Sequence, residues 1–188
     1  NNLIEQHPEA GVPWRVLGLV ELARESRRQP EALDRAIRDY RSYVDRTPSD
    51  PEGLLQLYRL YLRKTQFEKA EEALAQIYGL IPKYPSLHFF RGELYFQMGN
   101  YRTAIQEYQT ELTNHPDDTK TLVALGKAYI EVQQPDEALK RFTRAMQLSP
   151  RFAEAKHYAG FGNYLLKNYA GAIALYQSAI RLDPGNPM

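Results

Sequence analysis

The chain has 188 residues, with 24 Lys and Arg against 23 Asp and Glu, a formal net charge of +1, and no cysteine. That balance lacks the clustered positive charge that polyanion binding needs. The missing thiol removes disulfides, thiolate ligands and cysteine nucleophiles together. No apolar run approaches the roughly 18 residues needed to span a bilayer, and the first residues carry no signal-peptide pattern. Neither nucleic acid nor direct membrane insertion is therefore expected, and because the first residue is Asn1 rather than Met, a longer parent chain is.

Five prolines, Pro48, Pro82, Pro116, Pro150 and Pro184, stand 34 residues apart (82 − 48 = 34, and so on) and divide the sequence into equal units. Residues 1–10 read as the tail of an upstream unit, since Leu3 to Ala10 matches the end of a second helix and Pro8 holds the proline position. In residues 11–50, Trp14, Leu17 and Gly18 fit the pattern, but Ala36 falls six residues late. The surplus lies between Arg24 and Pro30 and predicts an extended hairpin tip there.

Residues 51–84 show one unit most clearly. Asp50 is placed to cap a helix and Pro51 to occupy its first turn, where a missing N–H costs nothing. Leu54, Leu57, Tyr58 and Tyr61 follow at helical spacing and form one apolar face. Lys64, Thr65 and Gln66 break the pattern, and a second helix runs from Phe67 through Ala70, Leu74 and Ile77 to Ile81, before Pro82. The two make a helical hairpin, with Ala70 small because the partner helix approaches there.

The remaining units repeat the plan. In residues 85–118 the helices fall at about 86–98 and 101–114, around a turn at Gly99–Asn100. In 119–152 they fall at 119–132 and 136–148, with Pro135 starting the second. In 153–188 they fall at about 152–166 and 169–182. Two further series keep the period: Ala36, Ala70, Ala104, Ala138 and Ala172, and Tyr40, Leu74, Tyr108, Phe142 and Tyr176. A strict period of this size marks stacked supersecondary units rather than a single globule. Nothing polar caps the last unit, so exposed apolar ends and end-to-end homo-oligomers are expected.

The fourth unit reads Leu122, Leu125, Gly126, Tyr129, Ala138, Phe142, Ala145, Pro150; the fifth contributes Gly160, Ala172, Tyr176, Ala179 and Pro184. With Trp14, Leu17 and Gly18 these residues resemble the tetratricopeptide repeat, whose signature places Trp, Leu-Gly, Tyr, Ala, an aromatic, Ala and Pro in that order. The resemblance covers five repeats plus part of an upstream one. It implies an all-α, right-handed α-solenoid of antiparallel hairpins with the first helices lining a concave side. Departures are Tyr58 where the pattern has Gly, Ile77 and Glu111 where it has Ala, and Asn163 where it has Tyr.

On that concave side, three positions per first helix lie off the packing stripe at i, i+4 and i+7. The rows are Arg15, Leu19, Leu22; Leu55, Arg59, Leu62; Phe89, Glu93, Phe96; Val123, Lys127, Ile130; and His157, Phe161, Tyr164. A face that only met water would carry lysine and glutamine, whereas the outer members here are mainly apolar or aromatic. A contiguous apolar strip of this kind reads as a peptide-binding groove, unless a tighter superhelix or neighbouring second helices bury it. The middle row, Arg59, Glu93 and Lys127, alternates in sign and suits either a ladder of self-paired ions or a guide for a ligand's polar groups.

Chemistry is weak elsewhere. A known version of the fold grips a chaperone's C-terminal carboxylate with Lys, Asn and Arg. The matching positions carry Phe89, Phe90 and Glu93, then Lys120, Ala124 and Lys127, then His157, Tyr158 and Phe161, so that grip is not expected. His115-Pro116-Asp117 falls on the proline lattice and reads as a helix stop. His88 and His157 have no partner one turn away, which argues against a metal, and the scattered glycines form no phosphate loop. The expected function is a non-catalytic scaffold or adaptor, without cofactor, that binds an apolar or amphipathic protein segment. Two alternatives stay open: a spacer acting through end-to-end self-association, and a recruiting module of a larger enzyme.

Overall fold

The structure, a computed structural model, describes residues 30–184. The upstream tail, the extended tip and Trp14, Leu17 and Gly18 lie outside the described residues. The described residues form nine helices: α1 Pro30–Arg46, α2 Pro51–Arg63, α3 Phe67–Leu80, α4 Leu87–Gln97, α5 Tyr101–Asn114, α6 Thr119–Glu131, α7 Pro135–Leu148, α8 Ala153–Leu165 and α9 Tyr169–Leu182. The chain divides after Leu87 into two compact units. In the first, α2 and α3 form a hairpin with α1 packed on α2; in the second, α4/α5, α6/α7 and α8/α9 are successive hairpins, each second helix packed against the next first helix.

The proline period has a backbone cause. A residue preceding proline is driven out of the α region. Ile81, His115, Ser149 and Asp183 each precede a proline of the series, and with φ of −139°, −132°, −133° and −140° and ψ of 75–90° they leave the α region where α3, α5, α7 and α9 end. His115-Pro116-Asp117 is thus a helix stop. Its Asp117 accepts a 2.8 Å bond from Arg144 of α7.

The turn inside each hairpin also recurs every 34 residues. Thr65, Gly99, Gln133 and Lys167 have φ of 53°, 77°, 60° and 62°, and only one of the four is glycine. Past each, an N–H reaches back five residues: Gln66 to Tyr61 O, Asn100 to Tyr95 O, Gln134 to Tyr129 O and Asn168 to Asn163 O, all 2.8–2.9 Å. This is the Schellman closure, which satisfies carbonyls that a helix end would otherwise leave open.

Within the second unit every first helix lets a ring from its partner lie on its backbone. A β-carbon built on Gly92 would fall 2.5 Å from Tyr108, on Gly126 2.3 Å from Phe142, and on Gly160 3.0 Å from Tyr176. One period earlier the two roles are exchanged. Tyr58 stands at the glycine position, Leu74 at the aromatic one, and both are buried. The departure at Tyr58 therefore moves the ring from the second helix to the first and keeps the volume of the layer. A different close approach sits beside it, since a β-carbon on Gly53 would meet the ring of Tyr43 on α1 at 2.6 Å.

Caps explain one other departure. Asp50 caps α2, accepting from Glu52 N at 3.1 Å, and Asp118 caps α6, accepting from Thr121 N at 3.0 Å. Asn163 is buried; its amide donates to Ala159 O and accepts from Asn168, whose own oxygen caps α9 at Gly171 N. Asn163 thus belongs to the α8–α9 turn.

At Gln133 a left-handed conformation costs a side-chain-bearing residue about 1–2 kcal/mol, against about 0.5–1 kcal/mol of extra unfolded-state freedom for glycine. Gln133→Gly should raise stability by roughly 0.5–1 kcal/mol, seen as a higher urea midpoint at unchanged slope.

Candidate functional site

A cavity of the second unit lies between α4, α6 and the start of α8, with a volume of about 290 Å³. Phe89, Glu93, Phe96 and Gln97 line it from α4, Tyr108 from α5, Lys120, Val123, Ala124 and Lys127 from α6, and Phe152 and Glu154 from the α8 entry. Repeat geometry brings them together. Helices α4 and α6 run side by side as the first helices of adjacent hairpins, so residues one period apart (Phe89 with Val123, Glu93 with Lys127) face the same cleft.

The apolar part is built from edges of the core. Phe89 and Phe96 are half-buried against it, their rings 6.0 Å from Tyr108 and 5.3 Å from Tyr101. Burial, and secondarily the nearby Glu93 carboxylate, push the Tyr108 hydroxyl far above its ordinary range, so it stays protonated. The polar part is a charged rim. Lys127 lies 3.6 Å from Glu154 and 4.7 Å from the centre of the Tyr158 ring, while Lys120 has no ion pair among the described residues.

The candidate groove residues do not share one environment. Arg15, Leu19 and Leu22 lie outside the described residues. In the first unit Leu55 is 4% exposed and belongs to the core, Leu62 is half-buried and Arg59 is exposed. In the second, Phe89, Glu93, Phe96, Val123 and Lys127 share the cavity, though Val123 is only 2% exposed. Ile130, His157 and Phe161 are half-buried outside its lining, and Tyr164 is exposed. His157 packs on Tyr158 and Tyr176, and Phe161 stacks on Tyr164 at 6.4 Å, giving α8 an aromatic row of its own. Of the alternating middle row, Lys127 pairs with Glu154.

The groove rows missed Gln97, Lys120 and Ala124 on the first helices, and Tyr108, Phe152 and Glu154, which reach the cavity from a second helix and a helix entry. One signal was legible. Phe152 falls at the position where the repeat places Asp50 and Asp118 as caps, and a ring there cannot cap.

Glu111 matters to the site although it does not line it. It is 2% exposed and accepts from Phe89 N at 3.3 Å, while its other oxygen bonds His115 at 2.7 Å. Tyr84 stands one period from the capping Asp50 and Asp118, but α4 begins only at Leu87, and Glu111 supplies from α5 an acceptor for the first turn of that helix. On the same face Glu107 bonds His88 at 2.8 Å and lies 3.6 Å from Arg91. Among the described residues no group of three His, Cys, Asp or Glu is placed to hold a metal, and no helix is long and apolar enough to cross a membrane.

Comparison with known proteins agrees with the repeat fold. The family profile described as Tetratricopeptide repeat matches residues 55–119 and 123–187. The Hsp70-Hsp90 organizing protein of Triticum aestivum is 26% identical over 124 residues, which cover 66% of this chain and 21% of that protein. The chain spans about a fifth or less of the length of the curated relatives it matches. Among solved structures, the thermophilic TPR protein TTC0263 of Thermus thermophilus superposes with a TM-score of 0.77 at 19% identity, covering 94% of this chain and 93% of that one. YrrB, titled a TPR protein with an unusual peptide-binding site, superposes at 0.60 with 18% identity, covering 98% and 92%.

Removing the Glu111 carboxylate leaves the α4 entry without its acceptor. Glu111→Ala should lower stability by about 1–3 kcal/mol and Glu111→Gln by less, measured by thermal or urea unfolding.

Proposed function

Because the chain belongs to the tetratricopeptide repeat family, we propose that it is a protein-interaction scaffold that holds an apolar or amphipathic segment of a partner against the cavity between α4, α6 and α8. The observation carrying this reading is the cavity itself, with Phe89, Phe96 and Phe152 as apolar walls and Glu93, Lys120, Lys127 and Glu154 as a charged rim. Its 290 Å³ stands at the lower edge of the roughly 300–1,000 Å³ typical of small-molecule sites. That suits one or two side chains of a peptide better than a cofactor.

Aromatic walls supply the affinity. A ring or branched side chain seated there buries apolar surface at about 25 cal/mol per Å², and anchors of this kind dominate peptide interfaces. The rim sets orientation, since an exposed pair such as Lys127–Glu154 contributes at most about 1 kcal/mol and exchanges partners readily. The role is recruitment, with any chemistry supplied by whatever is recruited or fused. The names of the relatives fit it: one curated relative organizes Hsp70 and Hsp90, and one structural neighbour carries a peptide-binding site.

Selecting random phage-displayed peptides on this chain tests the reading. The selected sequences should share an aromatic or branched aliphatic anchor. Phe96→Ser and Ala124→Glu should each weaken them by about tenfold or more, equivalent to ~1.4 kcal/mol, with the helical spectrum unchanged. Peptides that bind both variants as tightly as the parent would place recognition elsewhere.

A further inference from the structure

The first unit holds a cavity of its own, about 260 Å³, bounded by α1, α2 and α3. Leu54 and Leu57 of α2, with Val44 of α1 and Ala73 of α3, form its apolar side. Tyr61 of α2 also lines it and is only 7% exposed, yet its hydroxyl has no hydrogen-bond partner among the described residues. A phenol sunk this deep ordinarily finds one. Two periods later it does. Tyr129 and Gln109 stand where Tyr61 and Arg41 stand here (129 − 61 = 109 − 41 = 68), and the Gln109 amide donates to the Tyr129 hydroxyl at 3.0 Å. In the first unit the tyrosine is kept, arginine takes the place of glutamine, and the bond is not made.

Four charges surround that hydroxyl's cavity, Arg41 and Asp45 from α1 and Lys69 and Glu72 from α3. All four are exposed. Opposite charges lie about one turn apart on each helix, but none of the four has an ion pair among the described residues. Lys69 instead lies 5.8 Å over the Tyr61 ring and donates to Gln66 at 3.3 Å. Burial raises the Tyr61 hydroxyl above its ordinary pKa; the Arg41 guanidinium opposes that shift, and Glu72 and Asp45 add to it. Three of the four charges thus act on the hydroxyl, which stays protonated and able to donate.

Most ligand classes conflict with this lining. An apolar molecule would strand the hydroxyl without a partner. A phosphate would meet Asp45 and Glu72, and a metal ion would find two carboxylates opposed by two cations. A molecule carrying both signs satisfies every group. The volume is roughly nine times the ~30 Å³ that one water occupies in the liquid, which accommodates on the order of ten non-hydrogen atoms.

We infer that this cavity binds a small zwitterion, a free α-amino acid with an aliphatic side chain. Its carboxylate accepts from the Tyr61 hydroxyl and from the Arg41 guanidinium, whose fork matches two oxygens. Its ammonium donates to Asp45 and Glu72, and its side chain lies on Leu54 and Leu57. The site shares no lining residue with the cavity between α4, α6 and α8, so it stands whether or not that cavity recruits a partner.

Amide resonances of the full 188-residue chain, followed while L-leucine, L-isoleucine, L-valine or L-methionine is added to about 10 mM, provide the test. At least one should bind saturably with a Kd below about 1 mM, shifting residues 41–45 and 69–76. Leucinamide, which lacks the carboxylate, and N-acetyl-leucine, which lacks the ammonium, should each bind at least tenfold more weakly than leucine. Tyr61→Phe removes one oxygen and keeps the ring; it should weaken binding about tenfold at an unchanged urea midpoint. Arg41→Gln copies the Gln109–Tyr129 pair and should abolish binding without loss of stability. Glu72→Gln, at an exposed position, should weaken leucine while narrowing its advantage over N-acetyl-leucine. No saturable shift with any of the four amino acids, or charge-blocked analogues that bind as tightly as leucine, overturns the inference. So does a Tyr61→Phe or Arg41→Gln variant that binds like the parent.

Discussion

The structure depends on how closely two helices of one hairpin approach. In the second unit a full aromatic ring lies directly on the partner backbone, at Gly92, Gly126 and Gly160, where a single extra carbon would fall 2.3–3.0 Å from ring atoms. Interiors are packed too densely to absorb such an atom without movement. The ring therefore does two jobs. It fills the hairpin, and by setting the separation of the two helices it fixes where the free face of the first helix points.

The cavity follows from that spacing. Tyr108 is pressed onto Gly92 and so becomes the cavity floor, while Phe89 leans on the same ring from α4. Phe142, seated on Gly126, stacks with Tyr158 at 5.9 Å, and Tyr158 in turn underlies the Lys127 ammonium. One layer of rings thus runs from the packed interior to the charged rim. A site built this way is held by side chains whose positions the core already dictates, which reduces the ordering cost of binding. It also explains why the apolar strip of the second unit is graded, with Val123 inside, Phe89 and Phe96 half-covered, and Tyr164 open.

Much of this could be read from the sequence because the same steric rules act every 34 residues. The prolines announce helix ends because they exclude the α region from the residue before them. The Ala70 series announces close approach because nothing larger fits. Other features were hidden because they depend on an exchange between distant positions. Tyr58 looks like an error until it is set beside Leu74, and Glu111 looks like a misplaced charge until the first turn of α4 comes into contact with it. The left-handed turns were hidden for another reason: three of four use Thr, Gln or Lys, which carry no turn signal. The cavity was half legible. Its α4 and α6 walls follow from periodicity, but Tyr108, Phe152 and Glu154 enter from elements that the spacing of first helices does not describe.

The most direct check moves the exchanged pair into a hairpin that lacks it. Gly126→Tyr alone should be severely destabilised, because its ring would compete with Phe142 for one space, and overpacking of that kind costs on the order of 1–3 kcal/mol or more. Adding Phe142→Leu reproduces the arrangement of Tyr58 and Leu74, and urea unfolding should show the double variant regaining most of the lost stability, with a large favourable coupling between the two sites. If the double variant is no more stable than Gly126→Tyr, ring and glycine do not share one volume and the account of the hairpin is wrong.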